Sequence, residues 1–378
     1  MQEYRHRNPV CKRAVNGSQH IFKEQKFEPK QEPEPLGEQK QPLFGLSSSR
    51  FRLSALWNHP IVMDNLSLVV LVAGYIAAIY AIHGFFGIEN RIVLNFYYDW
   101  FARVAIIFSG LFILVHIRHK SYRRYLTARS LAGVAIIFLL APLFKSAFAS
   151  FKQTIPLLHP FSWDLAFMRL DYVLHFGQHP WMLLKTILDY PLLVRIIDYF
   201  YVFWFVILAV QCLWMAWTRR RRLRRCFFIS TLLVWILLGS GLGTLFSSAG
   251  PCYFSQMTDA APNPYSPLMT RLMEIGEIEP LWALENQQGL WEFHNDGTWY
   301  SFGGISAMPS IHLAMSMIFV MVAFNFGKLP GYFSIVYLLI MQIGSVILGW
   351  HYAVDGYAGI LLAAAIWCAV YRYTARNH

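Results

Sequence analysis

Eight apolar stretches, each about as long as a membrane span, constrain the fold of this chain more than any other feature. A helix needs about 20 apolar residues to cross the hydrocarbon core of a bilayer. The stretches cover residues 65–86, 101–117, 130–150, 196–217, 226–246, 306–327, 331–351 and 356–373, and we expect the third to be shortened or interrupted near Pro142 and Lys145. The sequence therefore predicts an all-α fold, a polytopic transmembrane helix bundle of about eight spans.

The composition agrees with a membrane protein and argues against two other classes. Hydrophobic residues make up 56% of the chain and charged residues only 14%, whereas soluble domains are about 25% charged. A chain this hydrophobic is not disordered throughout, because disorder requires low hydrophobicity. The net charge of +11 would suit a nucleic-acid binder, but charged residues are so few that we expect no nucleic-acid partner.

The basic residues predict how the spans are oriented. Residues 118–129 carry five Lys or Arg, and residues 218–225 carry six Arg. With a cytoplasmic N-terminus, both segments, the turn at Lys328 and the C-terminus lie on the cytoplasmic side, as the positive-inside rule requires. Because no organelle signal is visible, we predict a bacterial inner-membrane protein with cytoplasmic termini and its outer loops in the periplasm.

Three segments outside the spans differ in character. Residues 1–52 are rich in Gln, Glu, Lys and Pro, which predicts a disordered cytoplasmic tail. In the outer segment 151–195, residues 163–177 could form a helix lying in the membrane interface, with Asp164, Met168, Asp171 and His175 on one face. The outer loop 247–305 is long and rich in aromatic residues, so we expect it to be functional and to pack over the membrane domain.

Three polar residues at the outer ends of spans are the candidates for chemistry. Ionisable residues within a membrane domain are costly and therefore usually functional. His312 begins the sixth span, and His351 and Asp355 lie where the seventh span meets the eighth. The sixth and seventh spans form a hairpin, so both histidines return to the outer face. Asp355 follows His351 by four residues, a spacing that lets a carboxylate orient an imidazole as a nucleophile.

A phosphate could be bound beside His312. Pro309 is suited to an early position of the sixth helix, and Ser310, Ile311 and His312 would then present backbone N–H groups at its N-terminus. A helix N-terminus of this kind attracts anions, and the Ser310 hydroxyl adds a donor. Two histidines and a carboxylate could also bind zinc, but the adjacent phosphate cradle favours a metal-free mechanism.

At these residues the sequence resembles the type 2 phosphatidic acid phosphatase superfamily, most closely its inositol phosphorylceramide synthase branch. The superfamily's PSGH motif corresponds to Pro309–His312, and its His-x₃-Asp motif to His351 and Asp355. The first motif corresponds to residues 246–254, which include Tyr253. The resemblance implies a phosphatase or phosphotransferase core at 127–378 and two additional N-terminal spans at 53–126.

The chain departs from the superfamily pattern in its basic residues. The first motif has a Lys and an Arg where this chain has Gly243 and Gly250, and Ser345 stands where an Arg usually precedes the third motif. These departures resemble the headgroup-transferase branch. Another cation must neutralise the phosphate. Lys145, Lys152 and Arg271 are candidates, and we favour Lys152 as a substrate-binding residue together with Pro309, Ser310 and Tyr253.

The resemblance implies catalysis by double displacement. His351 would attack phosphorus to form a phosphohistidine, Asp355 would orient it, and His312 would act as general acid and then as general base. A lipid or sugar hydroxyl as acceptor makes the enzyme an inositol phosphorylceramide synthase-type transferase. Water makes it a lipid phosphate or prenyl diphosphate phosphatase.

A transporter or scramblase that uses the same residues as a proton relay is the second alternative. We expect a lipid phosphate substrate and membrane lipids as partners. We expect no cofactor and no metal, and the oligomeric state is left open.

Overall fold

The computed structural model describes residues 60–89, 94–118, 127–296 and 303–376, and the regular structure in these ranges is helical. The predicted disordered tail at 1–52 lies outside the described residues. The helices, in chain order, are α1 (Pro60–Phe86), α2 (Leu94–Arg118), α3 (Ala128–Leu158), α4 (Asp164–Leu174), α5 (Pro180–Leu183), α6 (Pro191–Trp217), α7 (Arg221–Leu245, with a π-helical stretch at Val234–Leu242), α8 (Phe254–Met257), α9 (Ser266–Ile278), α10 (Trp282–Asp296), α11 (Ile311–Phe324), α12 (Lys328–Ile347) and α13 (Ala353–Arg376).

Seven of these helices are long and apolar enough to cross a membrane, namely α1, α2, α3, α6, α7, α12 and α13. The chain is therefore an integral membrane protein, and the predicted all-α transmembrane bundle is confirmed. The sixth predicted span differs, because α11 has only 14 residues and a length of about 21 Å. It packs between α12 and α13, with Leu313, Ala314, Met315 and Ile318 fully buried.

Helix α11 begins at Ile311, five residues later than residue 306, where the sequence placed it. The preceding segment makes backbone hydrogen bonds to neighbouring elements instead of within a helix. The N–H of Ala307 donates to the carbonyl of Ser248 (2.9 Å), and the N–H of Ser310 donates to the carbonyl of Asp355 (3.0 Å). These bonds attach the segment before α11 to the residues that follow α7 and to the start of α13, and they depend on contacts that local sequence does not encode.

Helix α3 is longer than predicted and is not interrupted. It runs through both Pro142 and Pro156 and ends at Leu158, so the expected interruption near Pro142 and Lys145 is wrong. Neighbouring helices allow proline inside transmembrane helices, since they can satisfy the freed backbone groups. One consequence is that Lys152, which the sequence placed in the outer segment 151–195, lies on the same helix as Lys145.

Short helices cover one end of the bundle. The predicted helix within residues 163–177 is present as α4, with Asp164, Phe167 and Asp171 buried. The long loop contains α9 and α10, whose Leu272 and Ala283 belong to the main hydrophobic core. The loop therefore packs over the membrane domain, as its aromatic residues predict.

Candidate active site

His351 and Asp355 meet in the turn that joins α12 to α13. Nδ1 of His351 lies 3.3 Å from Oδ2 of Asp355, and the same oxygen accepts the backbone N–H of Tyr352 at 3.0 Å. His351 precedes the first residue of α13, so the turn as well as the four-residue spacing brings the two side chains together. Asp355 is completely buried, and a hydrogen bond from Nδ1 directs Nε2 away from the carboxylate.

His312 lies in the first turn of α11 and packs against aromatic rings of α6. Its ring centroid is 4.7 Å from that of Tyr201, at an interplanar angle of 15°, and 4.1 Å from that of Trp204. Phe205 meets it edge-on at 5.6 Å. These contacts limit the rotation of the imidazole and fix which side of α11 it occupies.

His312 and His351 line one cavity of about 150 Å³, which we call the site cavity. Lys145 and Lys152 line the same cavity from α3. They are seven residues apart, about two helical turns, so both side chains leave the same face of the helix. The sequence analysis named both lysines and favoured Lys152, and the structure places both in the lining of the cavity that holds the histidines.

The site cavity is electropositive. No Asp or Glu is among the described residues that line it. The ammonium of Lys145 lies 4.4 Å from the ring centroid of Trp235 and 5.5 Å from that of Phe148. Burial, together with the charge of Lys152, lowers the pKa of His351 to about 3. A neutral imidazole beside two lysine side chains, with no carboxylate in the described lining, is an arrangement that suits an anion.

Pro309 and Ser310 occupy different environments. Pro309 lines the site cavity, but Ser310 is not among the lining residues. The Ser310 N–H is already bonded to Asp355, and its Oγ is buried without a hydrogen-bond partner. The predicted cradle is therefore reduced to the N–H groups of Ile311 and His312, which lie in the first turn and have no intrahelical acceptor.

Tyr253 lines the site cavity, but its hydroxyl is already engaged. The hydroxyl donates to the carbonyl of Gln287 at 2.8 Å, and the ring stacks on Trp291 at 5.4 Å. Gln287 in turn donates to the carbonyl of Leu348 at 2.8 Å. Tyr253 is thus held against α10, and Gln287 ties α10 to the residue that follows α12.

The backbone around Gly250 explains why no arginine stands there. Gly250 has a φ of 103°, and a Cβ at this position would lie 2.6 Å from the carbonyl oxygen of Trp350. At Gly243 a Cβ would lie 3.2 Å from Oγ of Ser306. Gly250 therefore has no room for a basic side chain, whereas at Gly243 the Ser306 side chain would first have to shift.

Three buried aspartates that were not predicted as site residues hold the surrounding backbone. Asp164 accepts the N–H groups of Ala249 and Gly250 and the hydroxyl of Tyr352. Asp171 accepts those of Ala353 (2.7 Å) and Val354 (3.0 Å) at the start of α13. Asp198 accepts those of Trp282 and Ala283 at the start of α10. The only sequence signal was the shared face of Asp164 and Asp171 in α4.

Helix α10 forms part of the site cavity wall. Trp282, Asn286 and Leu290 line the cavity at one-turn intervals along this helix. Asp198 fixes the beginning of α10, and the bonds of Gln287 and Tyr253 fix its middle. The long loop therefore contributes an anchored, mainly apolar wall.

Arg271, the third cation that the sequence suggested, is engaged elsewhere. Its guanidinium donates to the carbonyl of Leu188 and to Glu274, and Arg271 is not among the lining residues of the site cavity. Within the described ranges, no group of three or more His, Cys, Asp and Glu side chains is arranged to hold a metal ion.

Comparison with known proteins produced one match. Residues 165–369 match the sequence profile described as the PAP2 superfamily. A search of curated proteins and a search of solved structures each gave no significant match. The matched residues include His312, His351 and Asp355, but not α1, α2 or the two lysines of α3.

Proposed function

Because the chain belongs to the PAP2 superfamily, we propose that it transfers a phosphoryl headgroup between lipids in the manner of an inositol phosphorylceramide synthase. Members of this superfamily are phosphatases and phosphotransferases that act on lipid phosphates in membranes. The observation that carries the proposal is that two imidazoles and two ammonium groups share one cavity whose described lining contains no carboxylate.

The phosphate of the substrate lies between α3 and the first turn of α11. Lys145 and Lys152 supply positive charge from one side, and the N–H groups of Ile311 and His312 supply donors from the other. Ammonium groups and helix N-termini are both common phosphate ligands. This arrangement replaces the basic residues that the first and third motifs lack.

The reaction proceeds in two displacements. Nε2 of His351 forms a bond to phosphorus while the bond between phosphorus and the lipid oxygen breaks, and His312 donates a proton to that oxygen. An acceptor hydroxyl then attacks phosphorus, the N–P bond breaks, and His312 takes the hydroxyl proton. Asp355 orients His351 through Nδ1 and stabilises its positive charge in the phosphohistidine.

The α10 wall favours transfer over hydrolysis. Trp282 and Leu290 bring apolar surface to the site cavity, and a phosphohistidine shielded from water survives until an alcohol enters. A lipid phosphate or prenyl diphosphate phosphatase is the alternative with the same site. In our proposal the site faces the periplasm of a bacterial inner membrane, because the basic segments are assigned to the cytoplasmic side.

The test uses purified protein in mixed micelles with labelled lipid phosphates, each with and without acceptor alcohols. We expect a new lipid product that depends on the acceptor. Release of free phosphate alone would assign a phosphatase, and no product from any lipid would favour a transporter or scramblase. His351→Ala and His312→Ala should abolish turnover while the protein stays folded, whereas His159→Ala, outside the site cavity lining, should not. Wild-type turnover in either site variant would overturn the mechanism.

A further inference from the structure

A second cavity, of about 280 Å³, lies in the bundle beside the site cavity. We call it the apolar cavity. Lys145 is the only charged residue among its described lining, which is otherwise almost wholly hydrocarbon and aromatic. The two cavities share five lining residues, Lys145, Val202, Phe205, Trp235 and Trp282. The two cavities are therefore adjacent, with these side chains between them.

The two cavities follow the same order on each of three helices. On α3 the apolar cavity extends from the shared Lys145 back to Ile137, whereas the site cavity continues forward to Lys152. On α6 the apolar cavity extends from the shared Val202 to Cys212. On α7 it extends from the shared Trp235 back to Phe228. The apolar cavity therefore extends about 10 to 15 Å along each of these helices. On all three helices it extends away from His351.

The combined space has the polarity of a lipid phosphate. Cations and imidazoles lie at one end, and a pocket without further charge lies at the other. The ammonium of Lys145 marks the boundary, because it lies over the ring of Trp235, which lines both cavities. A molecule with an anionic head and an apolar chain would satisfy both ends at once.

Helices α1 and α2 form one wall of the apolar cavity. Leu68 and Val72 line it from α1, and Trp100 and Phe101 line it from α2. Both helices lie before residues 165–369, the part that matches the family. Helix α3 also precedes the matched region, so the apolar cavity is bounded in large part by helices outside that region.

We propose that the apolar cavity holds a hydrocarbon chain of the substrate while its phosphate lies in the site cavity, so that α1 and α2 set the preference for chain length. This inference rests on the proposed function, since it assumes a lipid phosphate at His351. Transfer of a chain from the bilayer into the cavity brings little hydrophobic gain, because lipid is already apolar. Selection therefore depends on whether the chain fits.

The test fills the apolar cavity away from the histidines. Ala141, one turn before Lys145 on α3, lines it, and Ala141→Trp would occupy part of its volume. Leu139→Trp is the matched control, because Leu139 is on the same helix but is 57% exposed on the outer surface of the bundle. Ala209→Leu, from the α6 wall, is a milder second variant should the tryptophan disturb folding.

The rates to compare are those for dioctanoyl and dipalmitoyl lipid phosphates in mixed micelles. Ala141→Trp should lower kcat/KM for the long-chain lipid about tenfold or more and leave the short-chain lipid unchanged. Ala209→Leu should shift the preference in the same direction, and Leu139→Trp should change neither rate. An equal loss for both lipids in a folded variant, or no loss for either, would overturn the proposal.

A binding measurement separates this proposal from the proposed function. Wild-type protein that turns over no lipid phosphate would refute the function, and chain binding would then be judged by thermal stabilisation with butyl and hexadecyl phosphonate. Stronger stabilisation by the hexadecyl compound, lost in Ala141→Trp but kept in Leu139→Trp, would support the apolar cavity as a chain site. If hexadecyl phosphonate stabilised Ala141→Trp as much as Leu139→Trp, the assignment of the apolar cavity as a chain site would be refuted.

Discussion

Removal of the Asp171 side chain should both destabilise the protein and disable His351. Asp171 is 1% exposed, and its two oxygens accept the first two N–H groups of α13, from Ala353 and Val354. Asp355, which orients His351, lies in this same turn. We therefore expect Asp171→Ala to release the turn that brings His351 and Asp355 together.

The magnitude follows from the two hydrogen bonds. Each buried N–H left without an acceptor costs about 1–3 kcal/mol, so Asp171→Ala should lower the free energy of unfolding by about 2–6 kcal/mol. Asp171→Asn keeps one acceptor oxygen and should lose about half as much. Burial raises the pKa of Asp171 to about 7, so the measurement belongs near pH 8, where the carboxylate is ionised.

The assay combines denaturation in mixed micelles with steady-state kinetics. Misplacement of a reacting group by about 1 Å costs on the order of 100-fold in rate, so kcat should fall about that far in Asp171→Ala. KM should change little, since neither lysine moves, and Asp171→Asn should recover part of kcat. Asp189→Ala, at an exposed aspartate, is the control. Wild-type stability and kcat in folded Asp171→Ala would refute this positioning role.

Four further predictions concern protonation, metal, motif and orientation. For a phosphodiester lipid, kcat/KM should not fall as the pH is lowered from about 7 to about 5, because the lowered pKa of His351 keeps its imidazole neutral down to about pH 3. A decline in kcat/KM centred near pH 6.5, the ordinary pKa of histidine, would contradict this. Activity should persist in EDTA, and loss that zinc or magnesium restores would favour a metal site instead. Gly250→Arg should not restore phosphatase activity but should destabilise the fold, since even a Cβ would lie 2.6 Å from the Trp350 carbonyl; a stable, more active variant would refute the packing argument. In intact cells an impermeant maleimide should label Glu292→Cys but reach Arg219→Cys only after permeabilisation, and the reverse pattern would invert the orientation.

The sequence predicted the features that depend on local pattern. Runs of apolar residues were sufficient to find the seven long helices, because a bilayer requires length and hydrophobicity and little else. The spacing of His351 and Asp355 was likewise enough to predict their contact. In both cases the information lies within a few helical turns of the chain.

The remaining features depend on contacts distant in sequence. Asp171 bonds to residues more than 180 positions away, so no local pattern could assign it a role. The late start of α11 has the same cause, because Ser310 gives its N–H to Asp355. The length of α3 was not predicted, because a proline interrupts an isolated helix. Within a bundle, neighbouring helices can satisfy the backbone groups that the proline frees, so the helix continues.

The same packing constraint explains why positions 250 and 345 carry no arginine and why the two lysines are on α3 instead. Gly250 lies against Trp350, and Ser345 is completely buried with its carbonyl accepting the N–H groups of Trp350 and His351. A basic side chain at either position would displace the turn that carries His351. In our proposal the positive charge reaches the phosphate from α3, which brings Lys145 and Lys152 to the site cavity. Because α1 and α2 pack against this same helix, our proposals assign both phosphate binding and chain selection to residues that precede the matched region, while the reacting groups remain within it.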